Sequence, residues 1–105
     1  MLEESIDYAE EDVRQRQVRE ARVEADTILH ATRASFAGHA ALLVPGERDR
    51  ITTALKALEA AMVGEDYVVI RDAVEVLGRE TEPFARRIMD RSLTEALAHR
   101  RLEEL

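Results

Sequence analysis

Residues 51–62 read ITTALKALEAAM, which is the most regular apolar pattern in the chain. The large apolar side chains follow one another at intervals of four, three and four residues: Ile51, Leu55, Leu58 and Met62. This spacing is typical of one buried face of an α-helix. No segment alternates apolar and polar residues over the length of a strand. The sequence therefore predicts an all-α fold.

The helix around residues 51–62 has clear sequence boundaries. Pro45-Gly46 precedes it and Gly64-Glu65-Asp66 follows it, and we expect Asp66 to be the N-cap of the next helix. An apolar stripe then continues to Ile88, but Pro83 interrupts it by removing a backbone donor. We therefore expect a kink or break near residues 79–82, with Thr81 as a cap. The predicted helices after the first span about 46–63, 67–80 and 82–101, and the stripe in the last two comprises Ile70, Val74, Leu77, Thr81, Phe84 and Ile88.

The first segment shows an apolar stripe only in its second half, at Ala25, Ile28, Leu29, Thr32, Phe36, Ala40 and Leu43. Three such stripes can close on one another as an antiparallel three-helix bundle. Residues 14–20 carry one apolar side chain in seven, yet nothing in them stops a helix. A helix from Leu2 to Leu43 would be about 60 Å long, about twice the length of its partners. Its first half therefore projects as an arm, or folds back at a break near Glu11-Asp12.

The arm carries much of the negative charge of the chain. Residues 1–26 hold nine acids and four bases, and the whole chain has a net charge of −7. A helix that is polar all round is typical of a segment that lies over another domain, or of a solvated coiled-coil-like arm. The acidic balance argues against a nucleic-acid partner or an anionic membrane. A third candidate partner is a second copy of the arm, through self-association.

Composition bounds the chemistry further. With 105 residues the chain makes one domain, and its 46% hydrophobic content excludes a disordered tract. The absence of cysteine excludes disulfides and thiolate sites. Metal-binding, phosphate-binding and hydrolase motifs are missing, and no histidine has the glutamate three residues before it that a di-iron bundle needs. We predict no catalytic, cofactor-binding or metal-binding residue. With no signal peptide or membrane-spanning run, we expect a cytoplasmic protein.

One polar pair has a possible function. Asp26 and His30 are four residues apart, hence on one helix face and within reach of a common partner. The simple interpretation is an exposed pair that contributes little to the stability of the helix. The functional interpretation is a polar clasp on another domain, made of charge-assisted bonds that form and release.

Several stretches resemble the lid of the heat-shock protein 70 chaperone family. They are MLEESIDYAEED at residues 1–12, DTILHATR at 26–33 and ALKALEAAMVGED at 54–66, and the resemblance covers essentially the whole chain. FARRIMDRSLTEAL at residues 84–97 is similar to the end of the HscA-type branch, which serves iron–sulfur cluster assembly. Asp26 with His30 is more similar to the DnaK-type pattern, so both branches stay open, with the HscA type favoured.

The resemblance implies a lid that closes over a client peptide and slows its release. Residues 1–12 would be a first lid helix docked on a β-sandwich, 13–44 a long lid helix, and 45–105 the remaining bundle helices. Asp26 and His30 would latch the lid to that sandwich. ATP with magnesium would act in a separate ATPase domain, leaving this fragment without enzyme activity. The implied partners are an iron–sulfur scaffold client and a J-type co-chaperone. The competing hypothesis is a free-standing helical adaptor, which a true start codon at Met1 would support.

Overall fold

The computed structural model describes the backbone of residues 2–104 and the side chains of residues 9–101. Helix α1 spans Leu2–His39 and runs into a 3-10 turn at Ala40–Leu42. Helix α2 spans Glu47–Val63, and helix α3 spans Tyr67–Glu104. Strands are absent from residues 2–104. The predicted all-α fold, a long helical arm that leads into an antiparallel three-helix bundle, is confirmed.

The core lies where the three predicted stripes meet. Ile51 and Leu58 of α2 and Ile70 and Leu77 of α3 are fully buried, and Ala25 of α1 is fully buried beside them. Phe36 and Phe84 bring α1 and α3 together, with ring centroids 6.0 Å apart. The buried apolar residues are Val18, Ala21, Ala25, Leu29, Ile51, Ala54, Leu55, Leu58, Ala61, Ile70, Leu77 and Phe84. One expected stripe residue, Ala40, is exposed because the chain leaves the α-helical period at the 3-10 turn.

The two turns between helices follow their sequence signals. Gly46 has a φ of 83°, a left-handed conformation that favours glycine, and it stands directly before α2. The backbone N–H of Val68 donates to Asp66 Oδ1 at 3.0 Å, which makes Asp66 the N-cap of α3 as predicted. Both turns are short, so consecutive helices pack antiparallel.

Helix α3 runs through Pro83 without a break, so the prediction of separate helices over 67–80 and 82–101 is wrong. Thr81 does not cap a helix. Its hydroxyl donates to the carbonyl oxygens of Leu77 at 2.9 Å and Gly78 at 3.2 Å, as in a helix interior. Leu77 and Phe84 are buried on either side of Pro83, and their packing holds the helix despite the lost backbone bond.

Helix α1 also runs without a break through Glu11-Asp12, so its backbone does not divide there into helices over 1–12 and 13–44. Most of residues 1–12 lie outside the described side chains, and the expected docking of that segment remains a prediction. The arm projects, and the molecule extends over 77 × 33 × 17 Å. The core begins earlier than the stripe predicted, because Val18 and Ala21 lie on the same helix face as Ala25 and are buried with it.

Candidate functional site

Asp26 and His30 lie one turn apart in the second half of α1. His30 Nδ1 is 2.8 Å from the backbone oxygen of Asp26 and 3.5 Å from its Oδ1. Because both of these atoms are acceptors, the proton of a neutral His30 ring lies on Nδ1, and Nε2 is left as an acceptor. The side chains remain 72% exposed for His30 and 61% exposed for Asp26. The pair therefore presents a carboxylate and a ring nitrogen to a surface outside the bundle.

The neighbours of this pair fix its orientation. Ala25 is fully buried and Leu29 is 4% exposed, and each directly precedes one member of the pair. Successive helix residues are rotated by about 100°. Burial of Ala25 and Leu29 therefore turns Asp26 and His30 outward and holds them there without any contact of their own to the bundle core.

Two arginines flank the pair, and both are bound to α2. Arg22 donates from Nε to the Met62 carbonyl at 3.0 Å and from an Nη to the Gly64 carbonyl at 2.6 Å. Arg33 forms an ion pair with Glu59. Sequence analysis missed both roles. The Arg22 contacts leave no sequence signal because their acceptors are backbone carbonyls some 40 residues away.

A cleft of about 300 Å³ lies where the arm passes the α2–α3 turn, and it is lined by Glu11, Arg14, Gln15, Val18, Arg19, Arg22 and Glu65. Residues 9–101 contain no group of three or more His, Asp or Glu side chains arranged to hold a metal ion. Over the same part of the chain, the helices contain no stretch that is long and apolar enough to cross a membrane. The exposed pair on α1 is the candidate site.

Comparison with known proteins identifies the family. Residues 1–90 match the family described as Hsp70 protein. The chain is 45% identical over 105 residues to the protein named "Chaperone protein HscA homolog" from Ralstonia pickettii (strain 12J). Proteins of the same name from Methylibium petroleiphilum and Burkholderia orbicola are 45% and 44% identical over 105 residues. All of this chain is covered in each comparison, but it spans only 17% of the length of these relatives. The chain belongs to the Hsp70 family.

Proposed function

We propose that this chain is the helical lid over the peptide-binding region of an HscA-type chaperone. The names of its relatives support the HscA type over the DnaK type, and they support a chaperone role over a free-standing adaptor. Because the chain spans 17% of those relatives, peptide gripping and ATP hydrolysis with magnesium are assigned to other parts of a longer protein. The fragment itself then acts mechanically and carries no catalytic residue.

The observation that carries this proposal is the outward pair on α1. Asp26 and His30 keep more than half of their side-chain surface exposed, although the helix that bears them is firmly packed on the bundle through Ala25 and Leu29. A polar pair on a rigid helix suits a docking contact because its geometry is set before the partner arrives. We assign Asp26 and His30 as the latch to loops of a β-sandwich in the same parent chain.

The latch works through bonds of moderate strength. A hydrogen bond to a charged group is worth roughly 1.5–3 kcal/mol, and about 1.4 kcal/mol corresponds to a tenfold change in an equilibrium constant. A cationic donor on the sandwich would pair with Asp26, while His30 Nε2 would accept a second bond. Two such contacts slow peptide release and still break when ATP binding elsewhere favours the open state.

The client and the co-chaperone depend on whether the parent protein is of the HscA type or the DnaK type. An HscA-type chaperone would hold an iron–sulfur scaffold protein as its client, work with a J-type co-chaperone, and act in the cytoplasm. A general DnaK-type lid would use the same latch with unfolded clients. Competition between a scaffold-derived peptide and an unrelated hydrophobic peptide, measured on the full chaperone, separates these two cases.

The test measures peptide release from the full-length chaperone that contains this chain. We expect Asp26→Ala and His30→Ala each to raise the dissociation rate of a fluorescent client peptide by about tenfold or more. Glu24→Ala is the matched control, because Glu24 is an exposed carboxylate on the same helix, half a turn away from Asp26. Unchanged rates in both latch variants would reject the latch. Tight binding of an unfolded client by the 105-residue chain alone would reject the lid.

A further inference from the structure

Arg22 joins α1 to the end of α2. Its guanidinium bonds the carbonyl oxygens of Met62 and Gly64, 3.0 and 2.6 Å away. Helix α2 ends at Val63, and the last carbonyls of a helix have no donor within that helix. A cation at this position also complements the partial negative charge of the helix C-terminus. Arg22 therefore acts as a C-terminal cap for α2, supplied by α1.

The same arginine lies one turn before Asp26. Residues four apart on a helix are neighbours, and an arginine and an aspartate at this spacing ordinarily attract each other. Asp26 Oδ1 lies 3.5 Å from His30 Nδ1, and among the described residues no ion pair joins Asp26 to Arg22. Arg22 is the only arginine or lysine within four residues of Asp26. Its attachment to α2 therefore leaves the carboxylate open to a cation outside the bundle.

We propose that Arg22 is a positioning residue that keeps the Asp26 carboxylate available to its docking partner. While Arg22 bonds Met62 and Gly64, it fixes the turn of α1 that bears Asp26 and stays away from the carboxylate. If the end of α2 releases Arg22, the guanidinium can swing one turn along α1 and neutralise Asp26. This inference rests on the latch assigned above, and it adds a link between the α2–α3 turn and the strength of that latch.

Lysine is the informative substitution at this position. Its ammonium is a point charge on a flexible stem, so it lacks the rigid fork with which the guanidinium holds two carbonyls. Arg22→Lys therefore leaves a cation free to compete for Asp26, whereas Arg22→Ala leaves none. If Arg22 were only structural, lysine would be the milder change, because it keeps part of the carbonyl contact and most of the apolar stem.

The experiment measures client-peptide dissociation from the full-length chaperone carrying R22K, R22A, D26A and the two double variants. We expect the dissociation rate of R22K to be about twice that of R22A. This factor corresponds to the free energy of an exposed ion pair between two residues one helix turn apart. In the D26A background, R22K and R22A should give equal rates. Arg71→Ala is the charge-matched control, because Arg71 is exposed on α3.

The outcomes separate this inference from the proposed function. If D26A does not change the dissociation rate, the latch itself is rejected. If D26A raises the rate but R22A exceeds R22K, or the Arg22 and Asp26 effects are additive, the latch stands and the role of Arg22 is rejected. Thermal unfolding of each variant gives the loss of folding stability, so that a general weakening of the bundle is recognised as such.

Discussion

Arg87 of α3 forms an ion pair with Glu47, the first residue of α2, at the end of the bundle opposite the arm. The Glu47 side chain is only 3% exposed, and that of Arg87 is 31% exposed. Arg87 also donates from Nε to the Leu42 carbonyl at 2.8 Å. The backbone N–H of Val44 donates to Glu47 Oε1 at 3.5 Å. This pair therefore ties α3 to both sides of the α1–α2 connection.

Removal of Arg87 should weaken the bundle strongly. Arg87→Ala leaves the buried Glu47 carboxylate without its cation, and we expect a loss of about 2–4 kcal/mol in the free energy of unfolding, with Arg87's partial exposure taken into account. Urea unfolding followed by circular dichroism measures this loss. The control is Arg86→Ala, because Arg86 pairs with Glu82 on the exposed surface and should cost no more than about 0.5 kcal/mol. Equal losses in the two variants would contradict this role for the Arg87–Glu47 pair.

Val18 should mark the beginning of the bundle on α1. It is 5% exposed, whereas Val13 is 51% and Val23 is 68% exposed on the same helix. Val18→Ala removes two buried methyl groups and should lower the free energy of unfolding by about 1–2 kcal/mol. The same substitution at Val13 or Val23 should change the free energy of unfolding by no more than about 0.5 kcal/mol. A negligible cost at Val18 would place the start of the bundle nearer Ala25, where the clear apolar stripe begins.

The sequence carried enough information to place the core stripes and the turns. Ile51, Leu58, Ile70 and Leu77 recur at helical spacing, and such residues bury together whatever the details of the loops. Asp66 is recognisable as an N-cap because its role depends on a bond to Val68, two residues away. Local periodicity and local capping are properties of short segments, so they can be read without the fold.

The features that the sequence did not reveal depend on distant contacts. Glu47 is buried because Arg87 approaches it across 40 residues, and Arg22 finds its acceptors in backbone carbonyls rather than in a side-chain partner. Pro83 predicted a break by local rules, but tertiary packing at Leu77 and Phe84 overrode them. For the proposed latch, spacing placed Asp26 and His30 on one helix face and the resemblance implied their role, but neither pointed to the role proposed for Arg22.

Pro83 should reduce stability even though α3 continues through it. Proline in a helix interior is about 3 kcal/mol less favourable than alanine, and Pro83 is exposed, so its removal disturbs no core contact. We expect Pro83→Ala to raise the free energy of unfolding by about 1–3 kcal/mol. The control is Ser92→Ala, because Ser92 is also exposed on α3. It should raise the free energy of unfolding by no more than about 0.5 kcal/mol. A loss of stability in Pro83→Ala would mean that the proline ring stabilises a local geometry the bundle needs.

The last part of α3 should contribute little to the stability of the bundle. Every residue from Met89 to Arg101 is exposed, including large apolar side chains at Met89, Leu93 and Leu97. A helical segment with no buried side chain is marginal in water. The free energy of unfolding of a chain that ends at residue 90 should therefore differ from that of the 105-residue chain by no more than about 1 kcal/mol. Its helical circular dichroism signal should be smaller. The control chain ends at Pro83 and so lacks Phe84 and Arg87. Its free energy of unfolding should fall by more than about 3 kcal/mol. If the chain ending at residue 90 were destabilised as much as the control, the exposed end of α3 would have to pack on the bundle in solution.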